Sequence, residues 1–418
     1  MESSIQSRTI DGALKLVGDF GRLHIGLLLI NVVFQFIVPW MTQVLTFTGA
    51  TSEHYCKTKE GFNRSSSIPI VGGIHNREDV VYSSCERYTD PYYKNDTEAC
   101  LDGWVYSDDV YGETLVTEWD LVCSREGLTD ISQSLMMLGG AVGSVVAGTL
   151  AGHIGRRPVI IGSLIIYVIC GCSLIFSPNF AVFTLLFTLY GATEPGFWSI
   201  CHILLMEYLL PDRRALISSW PPLFQSFGAV ALSFLAFHIR DWRYLQVALM
   251  IPPVLMLSVI WLIPESVRWH VSRNDLVKAE KILQRIASIN KKDTSNQILK
   301  QTSIDRVADT SAPDDSYTNA AFFIEDKVSE IHTVSAEVSE KRKDKTEEEG
   351  KPTFVDLLRP PVLFITLAVC FIRTTYSLVY FGFVLNTGNL AGDPYLNFLI
   401  GALLEIPGRL FPIALVKR

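Results

Sequence analysis

SQSLMMLGGAVGSVVAGTLAGHIGRRPVIIGSLIIYVICGCSLIF, running from Ser132 to Phe176, holds two apolar runs separated by a short basic turn. Ser132–Ala151 and Val159–Phe176 contain no Asp, Glu, Lys or Arg, and the formal charges between them are Arg156 and Arg157. A helix needs about 20 apolar residues to cross the hydrocarbon core. A charge at mid-bilayer costs roughly 2.5–3.5 kcal/mol on insertion scales. Both runs meet these demands, so the stretch reads as two membrane spans joined by a basic loop. Outward from it lie six more such runs: Leu23–Leu45, Phe180–Tyr208, Ala215–His238, Tyr244–Ile263, Val362–Leu385 and Tyr395–Val416. A soluble core built from eight of them is implausible. Leu23–Leu45 follows a polar stretch and has no small-residue cleavage site, so it is expected to remain as an uncleaved first span.

Composition agrees with a lipid solvent. Charged residues make up 19% of the chain, against about a quarter in soluble domains, and they crowd into 51–127 and 265–355. The net charge of −7 comes largely from these loops, and no basic patch with interleaved aromatics points to nucleic acid. No metal-ligand cluster, phosphate loop or nucleophile–base pair stands where chemistry would occur. An enzyme is therefore not expected, nor any catalytic residue, metal or cofactor.

Short loops orient a membrane protein through their Lys and Arg. His153-Ile154-Gly155-Arg156-Arg157, Asp212-Arg213-Arg214 and Lys417-Arg418 fall on one side, which is then cytoplasmic together with the N-terminus and loop 265–355. Ser177-Pro178-Asn179 and residues 386–394 carry no Lys or Arg. Segment 48–127 should consequently face outward, as expected of a multi-pass plasma-membrane protein. It contains the two Asn-x-Ser/Thr sequons, at Asn63 and Asn95, and four of the eight cysteines, Cys56, Cys85, Cys100 and Cys123. Four cysteines in an exported loop suggest two disulfides, with three connectivities open. This loop also offers a surface for self-association. Cys170, Cys172, Cys201 and Cys370 lie within spans and read as packing residues. After the sixth run, Leu276 to Ser288 reads as a helix, and residues 293–350, polar and charged, as a mostly disordered linker.

Gly148-Thr149-Leu150-Ala151-Gly152-His153-Ile154-Gly155-Arg156-Arg157 resembles the major facilitator superfamily signature Gly-x-x-x-Asp-x-x-Gly-Arg-Arg/Lys, with Gly152 where that family has Asp. Its glycines suit tight helix packing, and its arginines suit helix C-termini or carboxylates. Thr117 to Cys123 (TEWDLVC), Asp241 to Gln246 (DWRYLQ) and Pro264 to Trp269 (PESVRW, with Val267 at the usual Pro), with Asp11, Leu14, Gly18, Phe20 and Gly21, are similar to the organic cation, anion and carnitine transporter family. The large cysteine-bearing loop after the first span is that family's mark. The resemblance implies an all-α membrane protein of the major facilitator fold, with eight of the expected twelve spans present. Residues 1–264 would form the N-terminal six-helix half, 265–355 a cytoplasmic loop, and 356–418 the start of the second half. It also implies a cytoplasmic gate drawn from Gly148, Gly152, Gly155, Arg156, Arg157, Glu207, Arg213, Arg214, Glu265 and Arg268, with Glu207 beside Arg213 or Arg214.

Ionisable residues inside spans are the default candidates for substrate binding. Arg373 lies mid-span, with Tyr376 and Tyr380 on the same helix face at i+3 and i+7. The guanidinium suits a substrate carboxylate and the tyrosines an ammonium, at roughly 0.5–2 kcal/mol each by cation–π attraction. The alternative is that Arg373 pairs with a carboxylate on another span and the tyrosines simply pack. Glu405 matches an acidic cavity element of the family and sits four residues before Arg409, while Glu194 precedes Pro195-Gly196. His202 reads as a packed histidine. Tyr380-Phe381-Gly382, Asn386-Thr387, Asn389-Leu390, Gly392-Asp393 and Asn397 look most like the carnitine and zwitterion branch. The resemblance thus implies alternating-access transport of small organic ions across the bilayer, organic cations or carnitine-like zwitterions first. Ending at Lys417-Arg418, the chain stands four spans short of the family. This motivates a second reading, a non-transporting relative that binds or regulates a full-length partner.

Overall fold

Prolines and capping side chains decide where the apolar runs begin and end. Asn179 caps the helix after Ser177-Pro178, its Oδ1 accepting from Val182 N at 3.0 Å. Asp241 caps the next but one, accepting from Arg243 N at 2.8 Å. Each such acceptor satisfies one of the first-turn N–H groups that have no partner within the helix. Leu210-Pro211 and Trp220-Pro221-Pro222 open two separate helices, because a proline lacks the N–H that a continuing helix needs. The fifth expected run is therefore broken into Pro211–Ser218 and Pro221–His238. The first also stops early, at Thr42, before a separate helical turn at Leu45–Thr48.

The computed structural model describes residues 2–18, 20–72, 81–292, 298–299, 360, 362–385, 387, 390 and 392–416. Apart from Ile298 and Leu299, the expected linker lies outside these residues, as do Asn386, Asn389, Lys417 and Arg418. The principal helices are α1 (Glu2–Gly18), α2 (Arg22–Thr42), α3 (Leu128–Ile154), α4 (Arg156–Leu174), α5 (Phe180–Tyr208), α6 (Pro221–His238), α7 (Trp242–Val259), α8 (Val267–Ser272), α9 (Leu276–Asn290), α10 (Val362–Leu385) and α11 (Pro394–Val416). Among the described residues seven stretches, containing α2, α3, α4, α6, α7, α10 and α11, are long and apolar enough to cross a membrane. The expected fourth span, α5, which occupies the run Phe180–Tyr208 residue for residue, is not among them. It is instead the helix against which α2, α3 and α4 all pack.

The chain divides into two units, residues 1–303 with 384–418, and residues 304–383. In the first, α2 packs on α6, α6 on α11, and α4 on α7. At the α3–α5 crossing the backbones approach closely. A Cβ on Gly143 would lie 1.9 Å from Ala192 O, and one on Gly139 would lie 2.4 Å from Thr188 O. Tight packing therefore falls at these glycines and not at Gly148 or Gly152, where an added Cβ meets nothing within 4 Å. In the second unit, the described part is Pro360 and the Val362–Phe383 portion of α10.

Segment 48–127 departs from all-α structure. Three two-stranded antiparallel pairs occupy it: β1 (His54–Cys56) with β6 (Trp104–Tyr106), β2 (Ile70–Gly72) with β3 (Val81–Tyr82), and β4 (Glu86–Tyr88) with β5 (Thr97–Ala99). Of the three possible connectivities, the structure selects Cys56–Cys100 and Cys85–Cys123. Cross-linked strand pairs let a segment with little core hold a fixed shape. Asn63 and Asn95 are both exposed.

Candidate functional site

At one end of the bundle the loop between α3 and α4 meets the segment that follows α7. Gly155 takes φ +104°, a backbone region that L side chains rarely adopt. That turn aims the N–H groups of Arg156 and Arg157 at the Glu265 carboxylate, at 2.8 and 3.2 Å. These are first-turn donors of α4, so the carboxylate caps the helix and complements its dipole. The Arg156 side chain turns the other way, donating from Nη2 to Glu207 Oε1 at 2.6 Å and from Nη1 to Ala151 O at 3.1 Å. One guanidinium thus holds the end of α3 and the end of α5 together. Next to it, Tyr208 Oη donates to Glu265 O at 2.5 Å, and Arg268 Nε donates to Glu207 O at 2.9 Å while its Nη2 pairs with Asp11 of α1.

Arg214 lies within the electrostatic reach of Glu207, but the ion pair of that acid is with another arginine. Glu207 takes Arg156. Arg214 Nε instead donates to Leu209 O at 3.0 Å, close to the C-terminal end of α5, and the Arg213 guanidinium lies 5.9 Å from the Phe20 ring centroid. Gly148 contributes no side chain and no close contact. Gly152 contributes its carbonyl, which accepts from Trp269 Nε1 at 3.0 Å and Arg273 Nη2 at 2.9 Å. Val267 stands at the first position of α8, with Ser266 capping, a position at which the family's proline is equally at home.

Sequence reasoning missed three partners in this network. Asp11 stood out only as a family mark. His24 bridges Gly21 N and Tyr208 O, at 3.2 and 3.1 Å. Asn290, at the end of α9, takes Val17 O and Leu23 N, tying α9 to the bend between α1 and α2. Apart from Gly21 with His24, each pairing spans a long sequence separation that spacing along one element does not register.

A second charged clasp sits at the opposite end. Glu118, in the helical turn Leu115–Trp119, accepts from Arg243 Nη2 at 2.5 Å and Trp242 Nε1 at 2.7 Å. Arg243 also donates to Ile175 O and Ser177 O beyond the end of α4. The TEWDLVC and DWRYLQ motifs are therefore two halves of one contact. In the same region Tyr106 Oη donates to Asp120 Oδ1 at 3.0 Å; burial, helped by that carboxylate, pushes the phenol well above its ordinary value.

Between the two ends, polar groups are few. Tyr190 Oη donates to Tyr167 Oη at 2.5 Å, with the rings stacked 4.2 Å apart. Glu194 lies one turn further along α5, half-buried. His202 Nδ1 is 3.5 Å from Asn31 Oδ1, the packed arrangement expected of it. Glu405 Oε2 accepts from Ser226 Oγ at 3.1 Å and lies 4.0 Å from Arg409, which in turn donates to Gln225. In the second unit Arg373 is exposed, and Tyr376 and Tyr380 stack in parallel at 5.8 Å. Arg373 has no hydrogen bond or ion pair among the described residues. The only triad of ligand-type atoms there is His54 with Cys85 and Cys123, and those two cysteines are joined in a disulfide.

Residues 78–319 match the family model described as "Sugar (and other) transporter". Among curated relatives, the organic cation transporter-like protein of Drosophila melanogaster is 28% identical, the match covering 98% of this chain and 69% of that one. The organic cation transporter protein of the same organism is 32% identical, covering 76% and 53%. The human organic cation/carnitine transporter 2 is 30% identical, covering 86% and 62%. The chain spans between about half and two thirds of the length of these relatives. Among solved structures, the partially occluded inward-open xylose transporter XylE of E. coli aligns at 15% identity and a TM-score of 0.41, over 69% of this chain and 60% of that one. With a family model matched over more than half its length, the chain belongs to the sugar (and other) transporter family of the major facilitator superfamily, as a multi-pass membrane protein whose relatives include organic cation and carnitine transporters.

Proposed function

We propose that the protein carries small organic ions, organic cations or carnitine-like zwitterions, across the plasma membrane by alternating access. The N-terminus and residues 265–355 would face the cytoplasm and the disulfide-bearing segment the outside, in keeping with the basic loops at the Gly155 end of the bundle. The observation that carries the reading is the α10 face. Arg373 stands mid-helix in a candidate span with no acid paired to it among the described residues, beside two parallel tyrosine rings. An unpaired charge at that depth is costly, and a carboxylate-bearing substrate removes the cost by bidentate hydrogen bonding. Tyr376 and Tyr380 offer ring faces to the ammonium of the same molecule. The first unit, taken by itself, carries two candidate acids for a cationic group, Glu405 on α11 and Glu194 on α5. The names of the relatives support the same class of substrate.

The test is uptake of labelled carnitine and of tetraethylammonium in cells expressing the chain. Arg373→Ala should abolish saturable carnitine uptake while glycosidase-sensitive surface protein stays at the parent amount. Carnitine uptake that survives the substitution unchanged would overturn the assignment of Arg373 to the substrate.

A further inference from the structure

Beside the Glu265 network lies a cavity of about 250 Å³, enclosed by α9, the start of α4 and the residues after α7. Its cationic side is built largely by one helix stripe. Lys278, Lys281 and Arg285 recur at i, i+3 and i+7 along α9 and all line the cavity, joined by Arg157 from α4. Like charges at i, i+4 destabilise an isolated helix, so the Lys281–Arg285 pair is not explained by helix formation. Neighbouring acids neutralise the stripe only at Lys278. Asp275 pairs with Lys278 at 2.8 Å, and Glu280 accepts from Ile298 N and Leu299 N. The Glu265 carboxylate, also on the cavity wall, caps α4. Lys281 and Arg285 have no partner among the described residues, and Arg157 Nε is buried without one.

The other side of the cavity is apolar. Leu23 at the start of α2, Leu262 after α7, and Ile282 and Ile289 on α9 line it. Leu262 is 66% exposed, at the point where the sixth span ends. An occupant suited to both sides carries a phosphate-type anion at one end and hydrocarbon at the other, and the site sits where spans leave the bilayer. We infer that this cavity binds the headgroup of an anionic phospholipid, its phosphate held by Lys281, Arg285 and Arg157 and its glycerol and upper acyl region against Leu23 and Leu262. The anionic lipids of the cytoplasmic leaflet attract basic groups placed at this depth. The inference rests on the proposed orientation of this end toward the cytoplasm but not on transport.

The experiment is native mass spectrometry of the whole chain in detergent, titrated separately with palmitoyl-oleoyl phosphatidylglycerol and palmitoyl-oleoyl phosphatidylcholine. Phosphatidylglycerol should remain bound and phosphatidylcholine should not. Lys281→Gln with Arg285→Gln should weaken phosphatidylglycerol by about fivefold per cation, about 25-fold for the pair, with helical content unchanged. Both side chains are exposed, so the variant folds, and uptake is not the readout. Equal retention of the two lipids, an unchanged affinity in the variant, or displacement of the lipid by millimolar inorganic phosphate would each overturn the proposal, the last by making this a free-anion site.

Discussion

Gly155→Ala should be among the most damaging single-methyl additions in the chain, and the structure supplies the magnitude. The residue has φ 104° and ψ 167°, a region that side-chain-bearing residues occupy at a cost of about 1–3 kcal/mol. The new Cβ would also lie 2.5 Å from Glu265 Oε2, so the carboxylate must move. It accepts from Arg156 N, Arg157 N and Ser266 N, and a hydrogen bond to a charged group contributes about 1.5–3 kcal/mol. Losing one of the three brings the total to about 2.5–6 kcal/mol. Gly148→Ala is the internal control, because it lies in the same motif with open space around it. There the added methyl should stabilise α3 by about 0.5–1 kcal/mol, the ordinary helix preference for Ala over Gly. Both changes can be read from the midpoint of helix loss in mixed micelles titrated with sodium dodecyl sulfate. The reasoning fails if Gly155→Ala lies within about 1 kcal/mol of the parent, the range of an ordinary substitution, or if the two variants shift in the same direction.

At the opposite end, a double-mutant cycle between Glu118→Gln and Arg243→Gln should give a coupling of about 1–2 kcal/mol, reduced from the fully buried range because both side chains keep some solvent contact; additive effects would mean the clasp does not couple them. Tyr106 gives a pH signature. Its phenol is held above the ordinary value, so the folded state retains a proton that the unfolded state releases first. Stability is then full below the ordinary tyrosine pKa of about 10 and declines as pH rises beyond it. Tyr106→Phe should flatten that alkaline decline in the unfolding midpoint followed by tryptophan fluorescence, and an unchanged profile would show that Asp120 and Tyr106 do not share this proton.

The spans were legible because a lipid solvent writes a one-dimensional rule, length without charge, into each run; Val362–Leu385 agrees with its helix residue for residue. The break at Trp220-Pro221-Pro222 was legible in principle from the missing N–H groups, but the apolar composition on both sides concealed it. α5 was legible in the same way as Val362–Leu385, its helix coinciding with the expected run Phe180–Tyr208, whereas the packing of α2, α3 and α4 against it is not written along any one run. In the charged network, Arg156, Glu207, Glu265 and Arg268 stood out as motif residues. Which acid met which base depended on helix ends that the sequence does not place, so Glu207 was paired by proximity along the chain with Arg213 and Arg214 and in fact faces Arg156. Glu118 and Arg243 escaped pairing for the same reason, although both motifs were noticed.

The two clasps and the glycine crossing together tie α3, α4 and α5 to one another. Arg156 and Glu265 bind the α3–α4 loop to α5 and to the segment after α7, and Arg243 binds the far end of α4 to Glu118, just ahead of α3. Sliding α3 along α5 would have to separate Arg156 from Glu207 and lift Gly143 off the Ala192 carbonyl at the same time. Packed interfaces of this kind are bistable rather than continuously deformable. Under the proposed reading, α3, α4 and α5 should therefore keep their mutual geometry with and without substrate. Deuterium exchange makes the distinction. Amides of α3 and α5 at the crossing should stay protected to the same extent with and without carnitine, whereas substrate-dependent exposure at Gly139–Gly143 would place a moving joint at the crossing itself.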